Sequence, residues 1–142
     1  MKKLSIVWQL ARIFAKTFGK KPATATAFNR CSAVDARTRQ IMERWISEKG
    51  WAENLTPDQI SDKLGLSRQK ISLYAYSFHR LSFLKWRSEL RIEEAKRLLL
   101  EDMTTPTALI GEYVGISDKS NFRRQFKEAT GYTPADWRRL KH

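Results

Sequence analysis

Between residues 1 and 21, Leu4, Val7, Trp8, Ala11, Phe14, Ala15 and Phe18 recur at spacings of three and four, the period of an amphipathic helix. Lys2, Lys3, Arg12, Lys16, Lys20 and Lys21 fall mostly off that stripe, and Gly19 and Pro22 mark its end. Residues 22–33 are small and weakly patterned and read as a linker. A second helix starts near Asp35, a suitable N-cap. Ile41, Met42, Trp45 and Ile46 line one side of it, and Gly50 closes it. Thr56, Pro57 and Gln59 then form a capping box with proline at the first helical position. Ile60 and Leu64 face inward, Gly65 breaks the helix, Leu66 buries at the turn, and Ser67 caps a further helix to about Phe78. Helix, short glycine turn and helix are the outline of a helix-turn-helix.

The outline recurs. At a shift of fifty, Ile60, Leu64, Gly65, Leu66 and Ser67 fall on Ile110, Val114, Gly115, Ile116 and Ser117. Further on the shift is fifty-one, with Ser82 on Thr133 and Trp86 on Trp137. Two related units, the second with one extra residue, account for both offsets. Between them "KWRSELRIEEAKRLLLED" has good helix formers and neither Gly nor Pro. Leu90, Ala95, Leu98 and Leu99 give it an apolar side, and Glu93 and Arg97 are spaced as an i,i+4 pair. Fourteen such residues make a stiff spacer about 21 Å long. In the second unit Pro106 stands near the helix start. Gly111, which costs about 1 kcal/mol of helix stability relative to Ala, implies close packing on the next helix. Ser117 is the expected cap of that helix, with Asp118 suiting its positive end.

Charge changes the picture more than composition does. The 142 residues carry 27 Lys and Arg against 15 Asp and Glu, a net +12. Residues 1–34 hold seven of the basic residues and no acid. Such a balance favours nucleic acid or an anionic membrane surface as partner. Cys31 is the single cysteine, and His79 and His142 are the two histidines, so neither a disulfide nor a Cys-based zinc site can form within the chain. A reducing, cytoplasmic setting fits. There is no Gly-rich phosphate loop and no HExxH. His79 reads as a partly buried helix residue rather than a general base, and no enzyme, cofactor or metal is expected. No apolar run reaches eighteen residues, and Arg12 and Lys16 interrupt what a signal peptide would need.

The helix expected after Gly115 decides more. Phe122 and Phe126 face the core, so Lys119, Ser120, Asn121, Arg123, Arg124 and Lys127 point elsewhere. They could form a solvated face. They could also meet base edges, since Arg and Lys donate to guanine O6 and N7 and Asn can pair bidentately with adenine.

The stretch "IGEYVGISDKSNFRRQFKEATGYTPADWR", residues 110–138, resembles the signature of AraC/XylS-type transcription regulators. Ile110, Val114, Gly115, Ser120, Phe122, Phe126, Lys127, Gly131, Thr133, Pro134, Trp137 and Arg138 carry the match. Gly111 stands for the family's Ala, and Ile116 for its aromatic. Arg91, Ile92, Ala95, Leu98 and Leu99 resemble its linker helix. In the first unit Ala75 stands where the family has Phe and Arg80 where it has Gly, with Tyr74, Tyr76 and Phe78 placed to compensate.

The resemblance implies an all-α fold. Two homeodomain-like helix-turn-helix subdomains (35–87 and 103–142) are joined by a linker helix (88–102), behind the basic amphipathic N-terminal segment (1–34). It implies a sequence-specific regulator of transcription, commonly an activator, with double-stranded DNA and RNA polymerase as partners. Two successive major grooves about 34 Å apart would be read, at an asymmetric site. Base contacts carried over are Gln69, Ser72 and Leu73, then Lys119, Asn121 and Arg124. Leu73 would meet a thymine methyl or contribute little discrimination. Arg68, Lys70, Arg123 and Lys127 suit phosphates. Thirty-four residues cannot build the ligand-binding or dimerising domain many members carry, so the chain is expected to be either a stand-alone module or part of a longer regulator. The stripe of residues 1–21 leaves another reading open: docking on a partner protein or on a membrane.

Overall fold

Asp35 opens the first helix, α1 (Ala36–Ser47), by accepting from the Thr38 amide at 2.8 Å, and Thr38 returns its hydroxyl to the same carboxylate at 2.8 Å. The computed structural model describes residues 34–140, so the stripe of residues 1–21 and the linker at 22–33 lie outside the described residues. Met42, Trp45 and Ile46 are buried on α1. Its close differs from the expected glycine stop. Lys49 takes the left-handed conformation (φ 56°), and Gly50 instead begins a 3-10 turn, Gly50–Ala52. What Gly50 supplies is room, since a Cβ there would stand 2.3 Å from the Trp45 ring.

α2 (Pro57–Leu64) begins with the capping box, Thr56 and Gln59 exchanging side-chain and backbone bonds. Gly65 ends it at φ 63°, and Leu66 is buried beneath the turn. Ser67 caps α3 (Arg68–His79), accepting from the Lys70 amide at 3.2 Å. α1 and α2 both pack on α3, around Ile60, Ile71, Tyr74 and Ala75.

Residues 34–50 with 55–83 form one compact unit, and 51–54 with 84–140 the other. α4 (Phe83–Glu101) has nineteen residues, about 28 Å of helix. The pairing along it is not the expected Glu93–Arg97. Glu93 takes Lys96 at 2.8 Å, and Arg97 reaches Glu94 at 2.6 Å and also Glu101. The three-residue spacing with Glu94 offers both carboxylate oxygens to the guanidinium fork.

α5 (Thr107–Tyr113), α6 (Lys119–Thr130) and α7 (Pro134–Leu140) complete the second unit. α6 packs against both of the others. Ile110, Val114, Phe122 and Phe126 are buried, and Phe126 meets Trp137 edge-on at 6.0 Å. Gly111 has the expected packing reason: a Cβ there would lie 2.8 Å from the Phe122 ring and 2.9 Å from the Ile116 carbonyl.

Two arginines fasten this unit through backbone carbonyls. Arg91 donates to Trp51 O at 2.6 Å and Glu53 O at 3.0 Å, and burial together with the nearby Arg87 charge brings its pKa down to about 10. Arg138 donates to Leu99 O at 3.3 Å and Thr105 O at 2.7 Å, satisfying a carbonyl of the last turn of α4. The described residues form seven α-helices and no strand, arranged as two homeodomain-like helix-turn-helix units.

Candidate nucleic-acid interface

The second recognition helix is set by one hydrogen bond. The Ile116 amide donates to Gly111 O at 2.8 Å and closes the turn. The cap then falls one residue later than expected. Asp118, not Ser117, accepts from the Asn121 amide, at 2.6 Å. A carboxylate there also complements the positive end of the helix.

This places the extra residue of the second unit. α3 and α6 both have twelve residues and run in register at a shift of fifty-one, from Arg68 and Lys119 to the left-handed residues Arg80 and Gly131. The insertion therefore lies in the turn, where Gly65-Leu66-Ser67 corresponds to Gly115-Ile116-Ser117-Asp118. In that register Arg68 answers Lys119, Lys70 answers Asn121, Leu73 answers Arg124 and Tyr76 answers Lys127.

The expected contact residues lie on the two recognition helices. Gln69, Ser72, Lys119 and Arg124 are exposed, Asn121 is half-buried, and Leu73 is 38% exposed although apolar. Arg68, Lys70, Arg123 and Lys127 are all exposed. Several are held by carboxylates: Arg68 by Asp58 at 3.3 Å, Lys70 by Asp35 at 3.6 Å, and Arg124 by Glu128 at 3.2 Å. Exposed pairs of this kind stabilise by about 0–1 kcal/mol, so another hydrogen-bond acceptor can replace the carboxylate at little cost.

The first helix departs from the second where the sequence does. Ala75 is fully buried at the place of Phe126. Part of the missing aromatic bulk comes from Tyr74 and Phe78, whose rings lie 4.7 Å apart. Tyr76 does not join them. It is 47% exposed, with the Arg80 guanidinium over its ring at 5.7 Å. Gln69, Leu73, Tyr76 and Arg80 follow one another at four, three and four residues and so share a stripe. Tyr76 and Arg80 were not among the expected contact residues, although that spacing was visible in the sequence. Arg80 keeps the left-handed conformation (φ 60°) where the second unit has Gly131.

His79 is half-buried beside Tyr74, and burial pushes its imidazole down to about 4. Among the described residues no group of His, Cys, Asp and Glu could hold a metal ion, and no helix is long and apolar enough to cross a membrane.

A helix-turn-helix domain family matches residues 60–140, more than half of the chain. The chain belongs to the AraC-type helix-turn-helix family. The arabinose operon regulatory protein of Escherichia coli (strain K12) is 32% identical over 105 residues, 74% of this chain and 35% of that protein. The chain thus spans about a third of the length of this AraC-type relative. Two solved structures share the fold. The C-terminal domain of AraT, a response regulator from Geobacillus stearothermophilus, is 26% identical with a TM-score of 0.65, covering 75% of this chain and 87% of that one. The C-terminal domain of the two-component response regulator yesN from Fusobacterium nucleatum is 28% identical with a TM-score of 0.62, covering 73% and 99%. AraC-type proteins are DNA-binding regulators of transcription rather than enzymes, and the ligand of their helix-turn-helix is double-stranded DNA.

Proposed function

We propose that this chain regulates transcription by reading two successive major grooves of an asymmetric site, one with each recognition helix. The observation that carries the reading is the register of α3 and α6. Two helices of equal length each follow a left-handed glycine turn and keep a polar or exposed stripe opposite a buried one. In this reading Lys119, Asn121 and Arg124 meet base edges in one groove, and Gln69, Ser72 and Leu73 in the next, with Leu73 and Arg124 alone sharing a place in that register. Arg68, Lys70, Arg123 and Lys127 hold phosphates. The setting is cytoplasmic, and RNA polymerase is the partner through which regulation acts.

The test separates base from phosphate contacts. Arg124→Ala should lower affinity for a selected site by about 1–3 kcal/mol and relax preference at one or two base pairs. Lys127→Ala should weaken binding alike on specific and random duplexes and reduce the salt slope by about one. Equal effects of both variants on specific and random DNA would contradict the assignment. The basic stripe of residues 1–21 supports a second reading, docking on a membrane or a partner protein. Deleting it with residues 35–142 still folded should leave duplex binding in place. Loss of all duplex binding, with liposome flotation lost as well, would favour that second reading.

A further inference from the structure

Gln125 stands on α6 between Asn121 and α4. Its Nε2 donates to Asn121 Oδ1 at 3.0 Å, and its Oε1 accepts from Ser88 Oγ on α4 at 3.0 Å. Arg124 Nη2 donates to the same Asn121 oxygen at 2.7 Å. Arginine has no acceptor, so the Asn121 atom that faces it must be the oxygen and not the amide nitrogen. The same logic then orients Gln125: its nitrogen must meet that oxygen, which leaves its own oxygen for the Ser88 hydroxyl.

An amide oxygen has two lone pairs, and here both are taken. Bidentate pairing with adenine needs that oxygen to accept from N6 while the nitrogen donates to N7. Asn121 instead has its Nδ2 donors to offer. Guanine presents two acceptors, N7 and O6, and no donor on its major-groove edge, so it is the base this group fits. Arg124 is exposed and can leave for DNA. Gln125 is half-buried and tied to another helix, so when Arg124 goes it still holds one lone pair of the Asn121 oxygen and keeps that end of the amide turned toward itself, with the Nδ2 end as the freer one.

We infer that Gln125, anchored by Ser88, is a specificity-determining positioning residue: it holds Asn121 as a hydrogen-bond donor, so that this position reads guanine instead of adenine. The inference rests on the DNA-reading function proposed above and names what one position of that site accepts.

Selection of bound sites from random duplexes by the full chain tests it, with Asn121→Ala, Gln125→Glu and Ser88→Ala run alongside. Asn121→Ala identifies the base pair by relaxing its preference. At that pair the unsubstituted protein should favour guanine over adenine by about tenfold. Gln125→Glu has the same shape, and its carboxylate still accepts from Ser88 but repels the Asn121 oxygen. Asn121 then turns its nitrogen inward, and preference should move to adenine at that pair with the other pairs unchanged. Ser88→Ala should relax the preference severalfold without reversing it, and it keeps the inference exposed to failure should Gln125→Glu not fold. Selection of adenine by the unsubstituted protein overturns the inference while leaving sequence-specific DNA reading intact. So does an unchanged preference in both Gln125→Glu and Ser88→Ala. Equal binding of the unsubstituted protein to all duplexes would remove the inference together with the reading beneath it.

Discussion

Gly65 and Gly115 hold the same place in two copies of one motif, yet different physics requires each of them. Around Gly65 (φ 63°) a Cβ would meet nothing within 4 Å, so only the left-handed backbone asks for glycine. At Gly115 (φ 89°) a Cβ would also lie 2.4 Å from the Ala52 carbonyl, in the short segment that Arg91 fastens. The recognition helices differ in another way. α6 carries Arg124 and Lys127 where α3 carries Leu73 and Tyr76, and Gly131 where α3 carries Arg80. Copies of a motif can thus keep one backbone while packing limits fall on one turn and the basic residues fall at different places along the two helices. In the proposed function the second unit then supplies more of the hydrogen-bonded base discrimination, and the first contributes shape, apolar contact and charge nearer its C-terminal end.

The turn offers the sharpest way to break the comparison. Gly115→Ala should destabilise by about 3 kcal/mol or more, combining left-handed strain of about 1–2 kcal/mol with overpacking of about 1–3 kcal/mol. Gly65→Ala should cost about 1–2 kcal/mol, the strain alone. Denaturant unfolding of both variants measures the difference. Equal costs would mean that the Ala52 segment yields freely.

Acid should act on the first unit. The unfolded chain binds a proton on His79 near its ordinary 6.5, whereas the folded unit refuses it until about 4. Stability is therefore full above about pH 6.5 and falls as pH drops through that window, by at most about 3 kcal/mol. His79→Leu should flatten this part of a pH titration of thermal stability. An unaltered slope would place the acid sensitivity elsewhere.

A gain is expected at the end of α3. Arg80→Gly should stabilise by about 0.5–1 kcal/mol, because glycine takes the left-handed conformation without the Cβ penalty. Loss of the guanidinium over the Tyr76 ring offsets some of that gain, so a net loss in the melting curve would make this cation–π contact the larger effect. The smallest effect expected is on binding. Leu73→Ala should leave total affinity nearly unchanged and alter preference at one thymine, read in the same site selection. A loss as large as that of Arg124→Ala would mean that the two helices share the discrimination evenly.

Much of this architecture could be read from local chemistry. The capping box at Thr56 and Gln59, the glycine at 65 and the buried Ile60, Leu66, Phe122 and Phe126 all depend on neighbours within a turn or two. The repeat with its one-residue offset was visible as well, but not where the offset lay. Ser117 and Asp118 are both good caps, and the choice between them depends on how the Ile116 amide closes the turn on Gly111. Glu93 and Arg97 have a favourable spacing, but Glu94 offers the guanidinium both of its oxygens. By sequence Tyr76 suits filling for the missing ring at Ala75 as well as it suits the exposed side, because an aromatic near a gap is consistent with either side of a helix. Arg91 and Arg138 reach carbonyls 33 to 40 residues away, and no local pattern carries that information. The bonds that direct the Asn121 oxygen likewise need Ser88, thirty-seven residues from Gln125.

The most direct measurement is a hydroxyl-radical footprint of the full chain on a duplex obtained by selection. Two protected stretches are expected on one face of the DNA, centred about one helical turn (about 10 base pairs) apart. Base preference should be stronger in the stretch that loses protection with Arg124→Ala. A footprint confined to a single half-turn, or two stretches that Arg124→Ala weakens equally, would contradict this expectation.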